Sequence, residues 1–164
     1  MKTPFSIKYT KRLKQNFNGI QNIEILEKFK TRFDLTWCDE SIIVSDSKLN
    51  VRNEFIRIKP NLNFNLWAGV GLAELEIHNI QNRERQLTYR IEFTRLSLSI
   101  IISAILFSAI ILFNIDGVMY RNQVLGILGI MFLSIGILTH SILILRHWSL
   151  FIMIINEIKT GYNK

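Results

Sequence analysis

The chain has 164 residues, is 49% hydrophobic and carries 20 Lys and Arg against 13 Asp and Glu, for a net charge of +7. This composition excludes an intrinsically disordered chain, and a single cysteine, Cys38, excludes an internal disulfide framework. The apolar residues are unevenly distributed. They predict a polar domain over 1–95, an apolar part over 96–147 and a tail over 148–164.

The first fourteen residues hold a basic cluster and lack the apolar stretch of a secretory signal peptide. In FSIKYTKRL, Phe5, Ile7 and Tyr9 alternate with polar residues, which predicts an edge strand. Near a membrane, the cluster would attract anionic lipid headgroups at about 1 kcal/mol per basic residue. A solvated strand face explains the same residues, and nucleic-acid binding ranks behind both. The cluster consists of Lys2, Lys8, Lys11, Arg12 and Lys14.

Helical and alternating patterns follow in the rest of the polar part. Apolar residues of NIEILEKFKTRF recur at intervals of three and four, which predicts a helix over 22–33 with Asn22 as N-cap. ESIIVSDSKLNVRN predicts a hairpin that turns at 45–47, and AELEIHNI followed by QLTYRIEFTRL predicts a second hairpin. FNLWAGV predicts a further strand over 64–70. The polar part is therefore predicted to be an α+β domain, one helix on an antiparallel sheet of about five or six strands.

Signals of catalysis in this part are sparse. His78 alternates with Glu74 and Glu76 on one predicted strand face, but no second His or Cys cluster completes a metal site. GVGLAEL lacks the third glycine of a dinucleotide-binding turn, and Cys38 lies among acidic residues that do not activate a thiol. The sequence predicts no catalytic residue, no metal and no cofactor.

Two apolar runs dominate the rest of the chain. Residues 96–115 contain no formal charge over twenty positions, and 122–145 contain none over twenty-four. A helix of twenty residues is about 30 Å long, the thickness of the hydrocarbon core of a bilayer. The runs predict a transmembrane hairpin with helices at about 96–115 and 123–146.

The distribution of Lys and Arg predicts how the hairpin is oriented. Basic residues flank both runs, while the connecting segment 114–123 has only Arg121. Because basic flanks stay in the cytoplasm, we expect a two-pass protein of the inner (plasma) membrane with both ends cytoplasmic and 114–123 outside. The flanking basic residues are Arg83, Arg85, Arg90, Arg95, Arg146, Lys159 and Lys164.

After the second run, Arg146 and Trp148 are candidates for an interfacial anchor. The segment 148–159 is expected either to continue the second helix or to lie in the interface as a separate helix.

Small and polar residues within the runs are candidates for helix packing. His140 is the one ionisable side chain in the second run, and a neutral imidazole with a hydrogen bond inside the hairpin is preferred over a proton relay. Small residues permit close packing within one hairpin or between protomers, and the sequence leaves both open. They are Ser99, Ser103, Ala104, Ser108, Gly126, Gly129 and Gly136.

Three functions are compatible with these features. The first is a non-enzymatic inner-membrane protein whose cytoplasmic domain senses a ligand or binds a partner. The second is an oligomeric membrane-perturbing or channel-forming effector of a defence or toxin type, and the third is a membrane-bound enzyme. The predicted last strand runs into the first apolar helix without a spacer, so motion of the sheet would pass directly to the helix. This favours a sensor or a coupled assembly over a freely tethered enzyme, although short connections are also common where they have no functional meaning.

Overall fold

The computed structural model describes residues 5–13, 20–36, 38–53, 67, 69–80, 84–114 and 118–162. A strand and a helix come first, β1 (Ser6–Leu13) and α1 (Asn22–Leu35). Four strands follow: β2 (Glu40–Ser45), β3 (Lys48–Arg52), β4 (Leu72–Asn79) and β5 (Arg85–Glu92). Two long helices complete the order, α2 (Thr94–Asn114) and α3 (Val118–Tyr162).

The five strands form one antiparallel sheet in the order β1-β5-β4-β3-β2. The α+β prediction is confirmed at this level, with five strands and one helix, and both predicted hairpins are present. Alternation along β4 buries Ala73, Leu75 and Ile77, and the register places Leu75 beside Tyr89 of β5. Every second side chain therefore points to one face of the sheet, as period-two patterning requires.

Helix α1 packs on that face through one apolar stripe. Its buried side chains are Ile25, Leu26, Phe29 and Phe33, the spacing of one helix face. The predicted N-cap is wrong by one residue. Gln21 has extended backbone (φ −72, ψ 149) and precedes the first helical residue, Asn22, whose side chain therefore cannot serve as the cap.

The strand predicted over 64–70 is wrong where the structure describes it. Trp67 and Gly69 lie in a turn, and β4 begins only at Leu72. Gly69 has a φ of +82, a left-handed conformation that interrupts a strand. Positions 64–66 and 68 lie outside the described residues.

Helices α2 and α3 are each long and apolar enough to cross a membrane, judged by length and composition alone. Helix α2 ends within a residue of its predicted bound, but α3 is a single helix of 45 residues, about 67 Å long, instead of the predicted 123–146. The predicted loop 114–123 is too long, because 118–123 are helical. Polar residues are tolerated there because the first turns of α3 are accessible, as the 69% exposure of Tyr120 shows.

Exposure changes abruptly along α3. Up to Leu145 most large apolar side chains of α2 and α3 are exposed, and almost none of either apolar stretch is buried. From Leu143 onward, apolar residues of α3 belong to the same core cluster as α1 and the sheet. The second long helix therefore belongs to two parts of the molecule.

Candidate functional site

Most of the buried polar side chains lie at the junction between the α+β domain and the helical hairpin. Phe93 alone separates β5 from α2, and it is 1% exposed. Its backbone N–H donates to the carbonyl of Phe5 at 2.8 Å, while its own carbonyl accepts from the N–H and hydroxyl of Ser97, both at 3.0 Å. The first turn of α2 is thus bonded directly to the end of the sheet.

The turn before β4 packs against the same end of α2. A Cβ on Gly69 would lie 2.9 Å from the Cβ of Leu96, and one on Gly71 would lie 3.1 Å from the Arg95 side chain. At Gly69, which also has a positive φ, only glycine permits this approach, whereas at Gly71 a side chain would require a small shift of Arg95.

Arg95 also ties α2 to β3. Its guanidinium donates to the carbonyl of Asn53 at 2.7 Å, and the Asn53 amide donates to the carbonyl of Trp67 at 2.9 Å. These bonds continue the contact between helix and sheet across three segments of the chain.

The C-terminal part of α3 forms one side of the core. Phe151 is fully buried, with its ring centroid 5.6 Å from Tyr89 of the sheet and 5.9 Å from Phe29 of α1. Aromatic rings at these separations, stacked for Tyr89 and tilted for Phe29, add to the stabilisation from burial. The other buried residues of this stretch are Leu150, Ile154, Ile155 and Ile158.

An ion pair lies at the solvent-exposed rim of the contact between α1 and the C-terminal part of α3. The Arg32 guanidinium donates to both carboxylate oxygens of Glu157, at 2.8 and 2.6 Å. The two groups border an open groove of about 610 Å³ between α1 and α3, whose remaining lining is Glu24, Glu27, Lys28, Thr31 and Leu35. Because both partners are more than a third exposed, the pair contributes orientation more than stability.

Two tyrosines of the sheet bind α3 through their hydroxyls. Tyr89 shares a hydrogen bond of 2.9 Å with Nδ1 of His147, which is fully buried and packs edge-on against Trp67. Tyr9 donates to the carbonyl of Ile144 at 2.8 Å. Burial raises the pKa of Tyr9 to about 12 and raises the pKa of Tyr89 well above its usual value, so both hydroxyls stay protonated.

His140 joins the two long helices near the sheet. Its Nδ1 donates to the carbonyl of Gly136 at 2.8 Å, and its Nε2 lies 3.0 Å from the hydroxyl of Ser97 on α2. The Ser97 hydroxyl has one proton, so it donates either to the Phe93 carbonyl or to Nε2 of His140, and not to both at once. His140 is therefore placed one turn from the start of α2 and bonds to the neighbouring helix.

On the opposite face of the sheet, the residues considered for a metal site are engaged with a lysine. Lys48 lies 3.4 Å from Glu74 and 3.2 Å from Glu76, and His78 lies 3.4 Å from Glu76. Partial burial acts to lower the pKa of Lys48, but its hydrogen bond to Glu76 and the charge of Glu74 outweigh burial and raise it. No metal-binding group of three His, Cys, Asp or Glu occurs among the described residues.

The basic cluster of the N-terminus is only partly described. Lys8 and Arg12 project from one face of β1 and Lys11 from the other, and all three are exposed. Lys2 and Lys14 lie outside the described residues. The three described cations thus follow an edge strand for its length and are not confined to one end of it.

The small residues of the hairpin have different surroundings. A Cβ on Gly136 would meet Ile100 of α2 at 3.9 Å, so Gly136 lies in the contact between the two helices. Gly126 and Gly129 face open space, with no atom within 4 Å of such a Cβ. Ser99 bonds to the carbonyl of Leu96 in its own helix at 2.8 Å. Ser103, Ala104 and Ser108 are partly exposed on α2.

The two residues considered as an interfacial anchor lie inside α3. Trp148 is 39% exposed and packs on Tyr9 at 5.4 Å and on Phe151 at 6.1 Å, so part of its ring is covered by the domain. Arg146, two residues earlier on α3, is partly buried. Two arrangements were expected for 148–159, and the structure has the first of them: the segment continues α3.

Sequence reasoning missed several members of the junction. Tyr89 and His147 lie 58 positions apart and Arg32 and Glu157 lie 125 apart, so no local pattern joins them. One signal was available. The buried positions 151, 154, 155 and 158 recur at intervals of three and four, the pattern of a helix that packs in a core.

Comparison of the chain with protein-family models, with curated proteins and with solved structures found no match.

Proposed function

We propose that this chain is a two-pass, non-enzymatic membrane protein whose α+β domain senses a ligand or binds a partner in the cytoplasm and transmits its state to the hairpin. One observation carries the proposal: α3 is one uninterrupted helix that is exposed and apolar in its first half and part of the domain core in its second. A displacement of the core would move the apolar half without a flexible joint to absorb it.

The buried polar groups support a mechanical role for the junction. Tyr9 and Tyr89 bond to α3, and Arg95 bonds to the end of β3. Each bond connects the sheet to a long helix. Such contacts hold two parts in a defined geometry, whereas a catalytic group needs access to a substrate.

Membrane insertion and orientation are tested together with single cysteines in a Cys38→Ser background. Asn114→Cys at the end of α2 should react with a membrane-impermeant maleimide in intact cells, and Asn79→Cys at the exposed end of β4 should react only after lysis. Extraction with alkaline carbonate should leave both variants in the membrane pellet. Release of the protein by carbonate, or the reverse labelling pattern, would contradict the proposal.

Transmission is tested by breaking the helix where its exposure changes. Leu145→Pro removes a helical hydrogen bond between the two halves of α3, whereas Leu145→Ala preserves the helix. With spin labels at Asn79 and Tyr120, we expect a narrow distance distribution in the alanine variant and a broad one in the proline variant. Equally broad distributions in both would show that the halves already move independently.

A membrane-perturbing effector is the second candidate, favoured by the open face at Gly126 and Gly129, where another helix can approach closely. It predicts loss of membrane potential on overexpression, abolished by Gly129→Leu and retained by Ile130→Leu at a neighbouring exposed position. An unchanged potential at high expression of the wild type would exclude it.

A further inference from the structure

The two edges of the sheet run in the same direction. Four successive antiparallel pairings connect β1 to β2 through β5, β4 and β3, so β1 and β2 are parallel to one another. No strand among the described residues pairs with the outer side of either. Unpaired edges offer rows of N–H and C=O groups to another strand.

The two edges carry opposite charge. Edge β1 exposes Lys8, Lys11 and Arg12 and has no acidic residue. Edge β2 begins with exposed Glu40, exposes Ile42 and Val44, and is followed by exposed Asp46. Lysines protect β1 against pairing with a copy of itself, whereas an acidic and aliphatic edge has no such protection against a basic strand.

The registers place complementary positions at the same height on the two edges. Following the rows across the sheet, Ile42 is level with Lys8 and Ser45 is level with Thr10. Asp46 follows Ser45 in the turn beyond the end of β2, and Lys11 follows Thr10 on β1. A strand laid beside β2 at the height of β1 would bring its cations to the acidic end of β2.

The strands also run along the axis of α3. Phe93 contacts His140, and Tyr89 contacts His147 and Phe151. The four residue steps from Tyr89 to Phe93 span about 13 Å of strand, and the matching seven to eleven steps along α3, from His140 to His147 and Phe151, span about 10–16 Å of helix. The two displacements agree, so β5 lies alongside α3 and the strands follow the direction in which α3 leaves the domain.

This alignment restricts how two copies can meet in one membrane. Copies with a common orientation differ by a rotation about the membrane normal, which keeps their strands parallel. Pairing of β2 with β2 in one continuous sheet requires antiparallel strands and would turn one copy upside down. Pairing of β2 with β1 of the next copy is parallel and keeps both upright.

We propose that the β2 edge of one copy binds the β1 edge of the next, in parallel, and joins the cytoplasmic sheets of a membrane-embedded homo-oligomer. Five strands occupy about 24 Å and two helices side by side about 20 Å, so the hairpins fit beneath a continuous sheet. Such a head-to-tail contact forms a ring when its rotation closes and an open row when it does not. The inference rests on the proposed function only for the common orientation of the copies.

The contact is tested by cross-linking the full-length protein in membranes, in a Cys38→Ser background. The exposed, uncharged pair Thr10→Cys and Ser45→Cys occupies one row on the two edges. Oxidation of the double variant should give a ladder of dimers, trimers and larger species, whereas each single variant should remain monomeric. A dimer formed by Ser45→Cys alone, or an absence of cross-linking in the double variant, would overturn the proposal.

Charge-reversal variants of the two edge strands distinguish a β1–β2 contact between copies from attraction of the β1 cations to lipid. Reversal of the β1 cations (K8E/K11E/R12E) should abolish the ladder, and the added changes E40K/D46K should restore it. Lys28→Glu, an exposed site on α1, should leave the ladder intact. If the E40K/D46K changes fail to restore it, or if anionic lipid alone sets the yield, the cations act on the membrane and the edge contact is wrong. Carbonate extraction of the same samples reports separately whether the proposed membrane location fails.

Discussion

At the scale of single residues, the glycines of this chain have different tasks. Gly69 adopts a φ of +82 and lets the start of α2 approach the turn before β4, whereas Gly126 sits in a helix facing open space. The residue type is the same, but the surrounding backbone decides whether a side chain is tolerated.

Replacement of Gly69 by alanine should therefore destabilise the protein by about 1–2 kcal/mol from the left-handed backbone alone, with a further cost from contact with Leu96. Gly126→Ala is the matched control, and it should have no cost or gain up to about 1 kcal/mol from helix propensity. Thermal unfolding in mild detergent measures both. Equal midpoints for the two variants would show that the turn does not support α2.

Tyr9 supplies a residue-scale prediction on pH. Because its pKa is raised from 10.0 to about 12, its contribution to stability is fully present below pH 10 and is lost as the pH rises through 12. Tyr9→Phe should lose the hydrogen bond to Ile144 but show a smaller fall in stability over that range. Phenolate absorbance and unfolding midpoints at pH 9 and 11.5 test this; identical alkaline profiles would contradict the assignment.

At the scale of elements, α3 combines two kinds of helix in one. Its first half has exposed apolar side chains all along it, and its second half buries one stripe and exposes the other. We expect Phe151→Ala to cost about 3–5 kcal/mol, since the ring is fully buried between sheet and α1.

Met153 provides the control two positions away. It is 42% exposed on the same turn of α3, and Met153→Ala should change stability by no more than about 0.5 kcal/mol. Chemical denaturation in detergent compares the two. Similar losses would mean that the stripe is not the buried contact.

The strands and α1 could be predicted because each has a local periodicity that burial enforces. The two apolar helices could be predicted because each contains a run of twenty or more residues without a formal charge. The end of α3 could not be assigned, because WSLFIMII is almost continuously apolar and its environment depends on partners far away in sequence. The turn at Gly69 was missed for the opposite reason: a strand-like alternation is overridden there by a left-handed glycine. The pairing of Tyr89 with His147 joins two elements 58 positions apart and has no signature in either.

At the scale of the whole molecule, the polar part of the sequence ends at residue 95, but the hydrophobic core of the domain also includes residues from the end of α3. Leu150, Phe151, Ile154, Ile155 and Ile158 belong to the same cluster as the sheet. The boundary drawn from composition separates residues that pack together.

A fragment of residues 1–95 should consequently fail to unfold cooperatively. Phe93 and His140 lie 5.8 Å apart by ring centroid, so a short Gly-Ser linker can join the end of β5 to 143–162 in place of the hairpin. We expect this fusion to restore a cooperative transition in urea, and the same fusion with Phe151→Ala and Ile155→Ala to lose it. A cooperative 1–95 fragment would show that the sheet and α1 suffice.

The position of these core residues in the chain has a consequence for biosynthesis. Translation proceeds from the sheet through α2 and the first half of α3 before it reaches 150–158. The sheet and α1 are therefore synthesised first, and their core lacks its last apolar stripe until the C-terminal part of α3 has been translated. A chain that stalls before residue 150 would leave the core of the sheet and α1 incomplete, so a protease that recognises exposed apolar surface should remove stalled copies.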